Sequence, residues 1–252
     1  MALIKTRAEI RRITAAGAIL KSALHMLAER AKEGVALNDL DRLARQFIRE
    51  AGAEPSFLGY QPEGARRPYP AALCASLNEV VVHGVPSKRV LKNGDILKLD
   101  LGAKVEGYHA DAAITISIGT IAKEEEVLMR VTHEALMYGI RAARGGNTLG
   151  DIGHAIETHV KKHGFHVVHG LTGHGVGKAL HEEPSVFNEG KPGKGMRLQP
   201  GMTLAIEPMV AMGTARVHQL VDESYATMDG SMSAHFEHTI LITERGPKIL
   251  TG

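Results

Sequence analysis

The sequence predicts a fold of helices and strands laid out in two similar halves, and three observations carry that reading. Two amphipathic helical stretches precede a set of apolar strands, and the order helix–helix–strands then occurs again. Each half ends in strands that carry acid: Asp100 and Asp111 in the first, Glu207 and Glu237 in the second. The composition, 44% hydrophobic and 23% charged over 252 residues, is that of an ordinary globular chain with room for one large domain, taken as residues 1–252. The repeated order suggests an internal duplication whose halves share one site.

The elements follow in order. Thr6 and Glu9 form a capping box, and Ile10, Ile13, Gly17, Leu20, Leu24, Leu27 and Ala31 follow at helical spacing to a stop at Gly34. Asn38 is placed to cap a second helix carrying Leu40, Leu43, Phe47 and Ile48 as far as Gly52. From Gly52 to Pro70 prolines and glycines exclude a long element, and Arg66 and Arg67 there read as solvated. The run A-L-C-A-S-L-N-E-V-V-V-H-G then reads as a strand ending at His83 and Gly84, where a histidine is more often ordinary than catalytic.

Asp95 to Ile118 reads as a hairpin, two Ile- and Leu-rich runs around a polar centre ending at Gly107. With the loop centred between Val105 and Glu106, Asp100 faces Asp111, their Cβ atoms about 5 Å apart. Such a pair is either two strand-end carboxylates in solvent or a pair that takes up a proton or a cation. Lys123 to Arg144 reads as a long helix, with Glu124, Glu125 and Glu126 at the positive end of its dipole and Gly145-Gly146 as its stop. Thr148 to His163 reads as a fourth, with Ile152, Ile156 and Val160 on one face; His154, His159 and His163 read as surface residues.

In G-L-T-G-H-G-V-G-K-A-L-H-E-E-P, His174 lies in a Gly-rich turn, where glycine lets backbone or ligand come close, and His181 follows seven residues on. T-L-A-I-E-P ends an apolar strand at Glu207, and S-A-H-F-E-H-T-I-L-I-T holds Glu237 in mid-strand. A lone Glu inside such a run is costly unless paired or bound to metal.

Bulk properties exclude several classes. A net charge of +2 gives no reason to expect a nucleic-acid partner. A single cysteine, Cys74, allows neither an internal disulfide nor a thiolate zinc site. The N-terminus lacks a signal-peptide core and no apolar run reaches membrane-spanning length, so a cytoplasmic location is expected.

Asp100, Asp111, His174, Glu207 and Glu237 form an oxygen-rich set with one imidazole, suited to Mn, Fe(II), Co or Zn. Bridging carboxylates can hold two such ions about 3.5–4 Å apart, and a water between them becomes hydroxide near neutral pH, a nucleophile for a carbonyl. Glu207 is the expected general base, and His83 and His181 remain for substrate and oxyanion.

S-L-N-E-V-V-V-H-G at Ser76–Gly84, the Asp100 and Asp111 strands, T-G-H-G-V-G-K-A-L-H-E-E-P at Thr172–Pro184, A-I-E-P-M-V at Ala205–Val210 and S-A-H-F-E-H-T-I at Ser233–Ile240 together resemble the bacterial type I methionine aminopeptidases of the pita-bread metallopeptidase family. The resemblance runs from about residue 4 to the end. It implies a pseudo-two-fold α+β fold, a curved antiparallel sheet backed by helices, with a dinuclear metal site on the concave face. It implies Asp100, Asp111, His174, Glu207 and Glu237 as ligands, His83 and His181 as substrate contacts, and Tyr60, Tyr69 and Cys74 as the methionine pocket. Asn78, Val80 and Ser233 match a monovalent-cation site for sodium or potassium. The implied reaction is removal of the initiator methionine from nascent chains with a small second residue, by a monomer, with the ribosome a candidate partner. Proline-directed peptidases of the same fold, and metal-free binding proteins derived from it, are the alternatives.

Three features depart from the family pattern. Gln61–Pro68 is longer, Leu180 replaces an aromatic residue and His235 replaces a Gln. No long insertion separates His181 from Glu207, unlike the type II enzymes, and the Cys/His-rich extension of the eukaryotic cytosolic type I enzymes is not expected here.

Overall fold

The computed structural model describes residues 3–252. Helices α1 (Arg7–Arg30) and α2 (Leu37–Glu50) come first, and α3 (Lys123–Ala142) and α4 (Leu149–Lys162) open the second half. The strands are β1 (Glu54–Pro55), β2 (Leu73–Leu77), β3 (Val80–Val82), β4 (Ile96–Val105) and β5 (Tyr108–Ser117) in the first half. In the second they are β6 (His166–Val167), β7 (Thr172–Gly175), β8 (Glu182–Phe187), β9 (Thr203–Ile206), β10 (Met209–Ala211), β11 (Val217–Gln219), β12 (Tyr225–Thr227), β13 (Ser233–His235), β14 (Glu237–Thr243) and β15 (Gly246–Ile249).

A nine-stranded antiparallel sheet runs in the order β1-β4-β5-β14-β9-β7-β8, with β2 also on β4 and β15 also on β14. It curls into a half-barrel, the α+β pita-bread architecture expected. The two halves meet where β14 pairs with β5, at Glu237 opposite Ala113 and His238 opposite Ala112. Two small sheets, β13-β10-β6 and β11-β12-β3, flank it.

Each half has its own core. Ile13, Leu20, Leu24 and Leu27 of α1 pack with Leu97, Leu99 and Leu101, the odd residues of β4. Leu128 and Leu136 of α3 and Ile152 and Ile156 of α4 pack with Leu204, Ile206 and Ile240. Strand alternation then turns the even residues of β4, Lys98 and Asp100 among them, to the inside of the curl. The helical face is thus what fixes the direction of the acidic one.

Local chemistry sets the helix starts. Thr6 and Glu9 cap α1 reciprocally, with Glu9 Oε2 accepting from the Thr6 amide at 2.7 Å. Asn38 does not cap α2. Ala36 is the N-cap, and the first amides donate to the carbonyls of Arg89 and Ser87, so the helix begins earlier without a side-chain cap. Asp151 caps the start of α4, its carboxylate accepting from the Thr148 amide at 2.7 Å.

Three strand readings are corrected. Glu106 and Gly107 both have positive φ, 47° and 79°, the two central positions of a type I′ turn. The hairpin therefore centres between them, and Asp100 lies opposite Ala113 while Asp111 lies opposite Gly102. A two-residue shift preserves the face, so the carboxylates are diagonal neighbours rather than directly opposed. The strand expected up to His83 breaks at Asn78 (φ 53°), whose side chain bonds Asp95 and the Ile96 amide. The run from Ser233 also breaks, so Glu237 opens β14 instead of lying in mid-strand. There Thr115 Oγ1 holds both the amide and the carbonyl of His235 as the chain leaves a small sheet for the large one.

Candidate active site

Four strands carry four of the five expected ligand residues to one place, and the fifth residue follows directly after another strand. Asp100 comes from β4, Asp111 from β5, Glu237 from the first position of β14, and Glu207 follows directly after β9. His174 lies on strand β7, not in a turn. Its flanking glycines are still required: a Cβ on Gly173 would stand 2.3 Å from the Ala205 carbonyl, and one on Gly175 2.3 Å from that of Glu183. They let β7 lie close against its neighbours and carry the imidazole inward.

Ligand atoms of Asp100, Asp111 and Glu237, and likewise of His174, Glu207 and Glu237, fall within 4.8 Å of one another, with Glu237 common to both groups. His174 Nε2 is 3.5 Å from Glu207 Oε1 and 3.9 Å from Asp111 Oδ2. Its Nδ1 donates to the Gly175 carbonyl at 2.8 Å. A carbonyl can only accept, so Nε2 carries the free lone pair, the tautomer a metal requires.

The electrostatics hold the acids protonated unless a cation is bound. Asp111 and Glu237 are 3% and 2% exposed. Burial first, and then the neighbouring carboxylates, push both well above the usual carboxylate range. Burial likewise raises Asp100 and Glu207, each to about 7. Asp100 Oδ1 and Glu237 Oε1 are buried with no hydrogen-bond partner among the described residues. Four crowded carboxyls, two orphaned oxygens and an imidazole with its lone pair turned inward fit divalent metal and fit poorly with an apolar or purely structural role.

These groups line a cavity of about 920 Å³ that also takes in Tyr60, Tyr69, Cys74, His83 and His181. Phe57, Cys74 and Leu180 form a buried apolar cluster with Tyr60 and Tyr69 packed against it. Phe57 was not singled out from the sequence; its lone place in a Pro- and Gly-rich loop was the available signal. The Tyr69 hydroxyl donates to the carbonyls of Leu73 and Gly84, which fixes the ring as a wall. His83 and His181 present exposed edges to the cavity, yet its walls desolvate them and pull their pKa values down to about 4 and about 3. Both therefore stand neutral. Tyr60 Oη lies 2.8 Å from His181 Nδ1, and the rings of His174 and His181 meet edge to face at 4.4 Å.

His235, 1% exposed, lies behind the acids with Nε2 3.4 Å from Glu207 Oε2. Residues of the Gln61–Pro68 loop line the cavity mouth and meet Glu223 from the opposite rim, through the Arg66 amide at 3.2 Å and Arg67 Nε at 3.8 Å. The Arg66 side chain is exposed as expected, while that of Arg67 reaches Glu223.

The oxygens of Asn78 and Ser233 are gathered around the Nζ of Lys98, and the Ser233 hydroxyl in turn reaches the Val80 carbonyl at 3.5 Å. Burial pulls this amine down to about 7, with Glu79 opposing. The Asn78 and Ser233 oxygens are already engaged by the Lys98 amine.

A sheet-borne cluster of four carboxylates and one histidine, inside a two-half antiparallel half-barrel, defines a metallopeptidase-like centre. The sequence profile of metallopeptidase family M24 matches residues 11–244, and the chain belongs to that family. Within it, the chain is 47% identical to a methionine aminopeptidase of Clostridium acetobutylicum, across 100% of this chain and 99% of that relative. It is 46% identical to methionine aminopeptidase 1 of Bacillus subtilis, with the same coverage. The crystal structure of methionine aminopeptidase from Thermotoga maritima superposes with a TM-score of 0.95 at 43% identity, covering 100% of this chain and 99% of that one.

Proposed function

We propose that this protein removes the N-terminal methionine from nascent polypeptides whose second residue is small, using two divalent ions drawn from Mn, Fe(II), Co or Zn. The observation that supports this best is the juxtaposition of buried, partnerless carboxylates with the apolar pocket of Phe57, Cys74 and Leu180. Asp100, Asp111, His174, Glu207 and Glu237 would hold the ions. When bound, the ions would acidify a water to supply the nucleophile and polarise the scissile carbonyl.

The protein's own groups do the rest. A flexible, polarizable methionine side chain suits the pocket, where Cys74 is a small buried thiol whose pKa burial raises, and so acts as a wall rather than a nucleophile. Glu207 can take the proton from the attacking water and return it to the leaving amine. A protonated Tyr60 hydroxyl donating to His181 Nδ1 leaves the proton on Nε2, the tautomer that can donate to a developing oxyanion. Neutral His83 stands on the facing wall as a second hydrogen-bonding group. Among the described residues no helix is long and apolar enough to cross a membrane.

His181→Ala is expected to lower kcat by about 100-fold, the usual cost of one oxyanion donor, with a smaller change in KM. An unchanged kcat with a raised KM, in steady-state assays of Met-Ala-Ser, would show that His181 only holds the ground state. The reading as a whole is tested with metal-free protein titrated with Mn, Fe(II), Co and Zn against Met-Ala-Ser and Met-Leu-Ser. Metal-dependent cleavage of the first alone is expected. Cleavage of both would retain the chemistry and point to a rim widened by Gln61–Pro68, whereas turnover only of X-Pro peptides would replace the reading with a proline-directed one.

A further inference from the structure

Lys98 lies on the site face, two residues before Asp100, and is 1% exposed. No carboxylate lies within ion-pair distance of it among the described residues, and Glu79 acts on it only from farther off, an unusual state for a buried amine. What faces it is neutral oxygen. Nζ donates to the Asn78 carbonyl at 2.7 Å, to the Ser233 carbonyl at 3.1 Å and to Ser233 Oγ at 3.2 Å. Ser233 Oγ itself donates to the Asn78 carbonyl at 3.0 Å and lies 3.5 Å from that of Val80. An ammonium has three protons, and three acceptors meet them.

The acceptors come from two segments, the turn between β2 and β3 and the first residue of β13, and the donor Lys98 ties both to a third, β4. A cage of carbonyl and hydroxyl oxygens is what a hard monovalent cation would also need. A second positive charge among the same oxygens would meet the ammonium at contact distance, away from water.

We propose that the Lys98 ammonium is the resident cation of the Asn78–Val80–Ser233 oxygen cluster, so that this chain binds no sodium or potassium there, and that Lys98 is a positioning residue for the catalytic centre. The connectivity gives the tie its reach. Lys98 fixes β4 just before Asp100, Ser233 lies four residues before Glu237, and Asn78 lies five before His83. Three segments that deliver site residues are thus pinned by one amine built into the chain, with no dependence on the ionic medium. The positioning role rests on the peptidase reading; the cation role does not.

The test uses metal-free full-length protein melted in KCl, NaCl or choline chloride at equal ionic strength. Wild type should melt at the same temperature in all three. Lys98→Ala, which empties the space, should melt lower in choline and recover saturably with potassium or sodium. Lys98→Met fills the space without charge and should melt lower in every salt. In the metal-loaded enzymes both variants should lose about 10–100-fold in kcat/KM for Met-Ala-Ser in choline, the usual cost of losing a group that orients metal ligands. Only Lys98→Ala should regain activity with the ion. Saturable stabilisation of wild type by potassium or sodium over choline overturns the proposal. So does a Lys98→Ala protein, folded or not, that gains nothing from either ion. If the melting pattern holds and wild type cleaves no methionyl peptide, the peptidase reading fails while the built-in cation stands.

Discussion

Replacing Glu207 with Gln lowers kcat for Met-Ala-Ser by about 10³-fold or more and leaves the fold intact. Gln keeps the volume of Glu and the backbone carbonyl that accepts from Asn188 Nδ2 at 2.9 Å. What it loses is a carboxylate 3.5 Å from His174, and with it the proposed metal ligand and proton acceptor. The Glu207 carboxylate raises the pKa of Asp100, Asp111 and Glu237, so its removal relieves repulsion in the metal-free protein. The variant should therefore melt no lower than wild type without metal. Metal content measured beside turnover separates the two losses. A variant that binds metal fully and still turns over slowly has lost the base, and one that regains its rate only at high metal has lost a ligand. Near-normal turnover at ordinary metal concentration would remove Glu207 from both roles.

The acids were legible in the sequence because charge inside an apolar strand contradicts its surroundings. Asp100, Asp111, Glu207 and Glu237 declare themselves one at a time, before any pairing is known. The pairing itself was not legible. Turn geometry at Glu106 and Gly107 moved the hairpin register by two residues, and the face survived only because the shift was even. His174 was misplaced for a related reason: glycine beside it reads as a turn, while in the fold it permits strand-to-strand contact. Lys98 was missed altogether. A lysine in a hairpin strand reads as a solvated edge residue, and its acceptors lie 20 and 135 residues away in the chain. The alternation in I-L-K-L-D, which puts Lys98 on the same face as Asp100, was the signal available. Long-range oxygen cages of this kind have no local sequence pattern, unlike caps and helical stripes such as those of α1 and α4.

Metal uptake by the metal-free protein should release protons, and affinity should fall steeply as pH drops below 7. Asp100 and Glu207 titrate at about 7, and Asp111 and Glu237 lie well above the usual carboxylate range, so near pH 6 the site stands largely protonated. Each proton displaced on binding lowers affinity about tenfold per pH unit below the pKa. Calorimetric titration in buffers of different ionisation enthalpy measures the number directly. More than one proton per protein is expected near pH 6, and none would show that the carboxyls are already ionised and the fit to metal misread. The same linkage appears in stability. For an acid whose folded pKa is raised, the folded state binds more protons than the unfolded one between the two values, so its contribution falls as pH rises through that window. For Glu207 the window runs from 4.5 to about 7. Histidines held neutral, such as His83, His181 and His235, act in the opposite direction at the lower end, so total stability mixes both signs. The comparison of metal-free Glu207→Gln with wild type cancels them. The melting advantage of the variant should widen across this window and level off above it, at about 1.4 kcal/mol for each pH unit by which folding raises the pKa. A constant difference would mean that Glu207 is ionised in the folded metal-free site, and that its partner cation is already supplied by the protein.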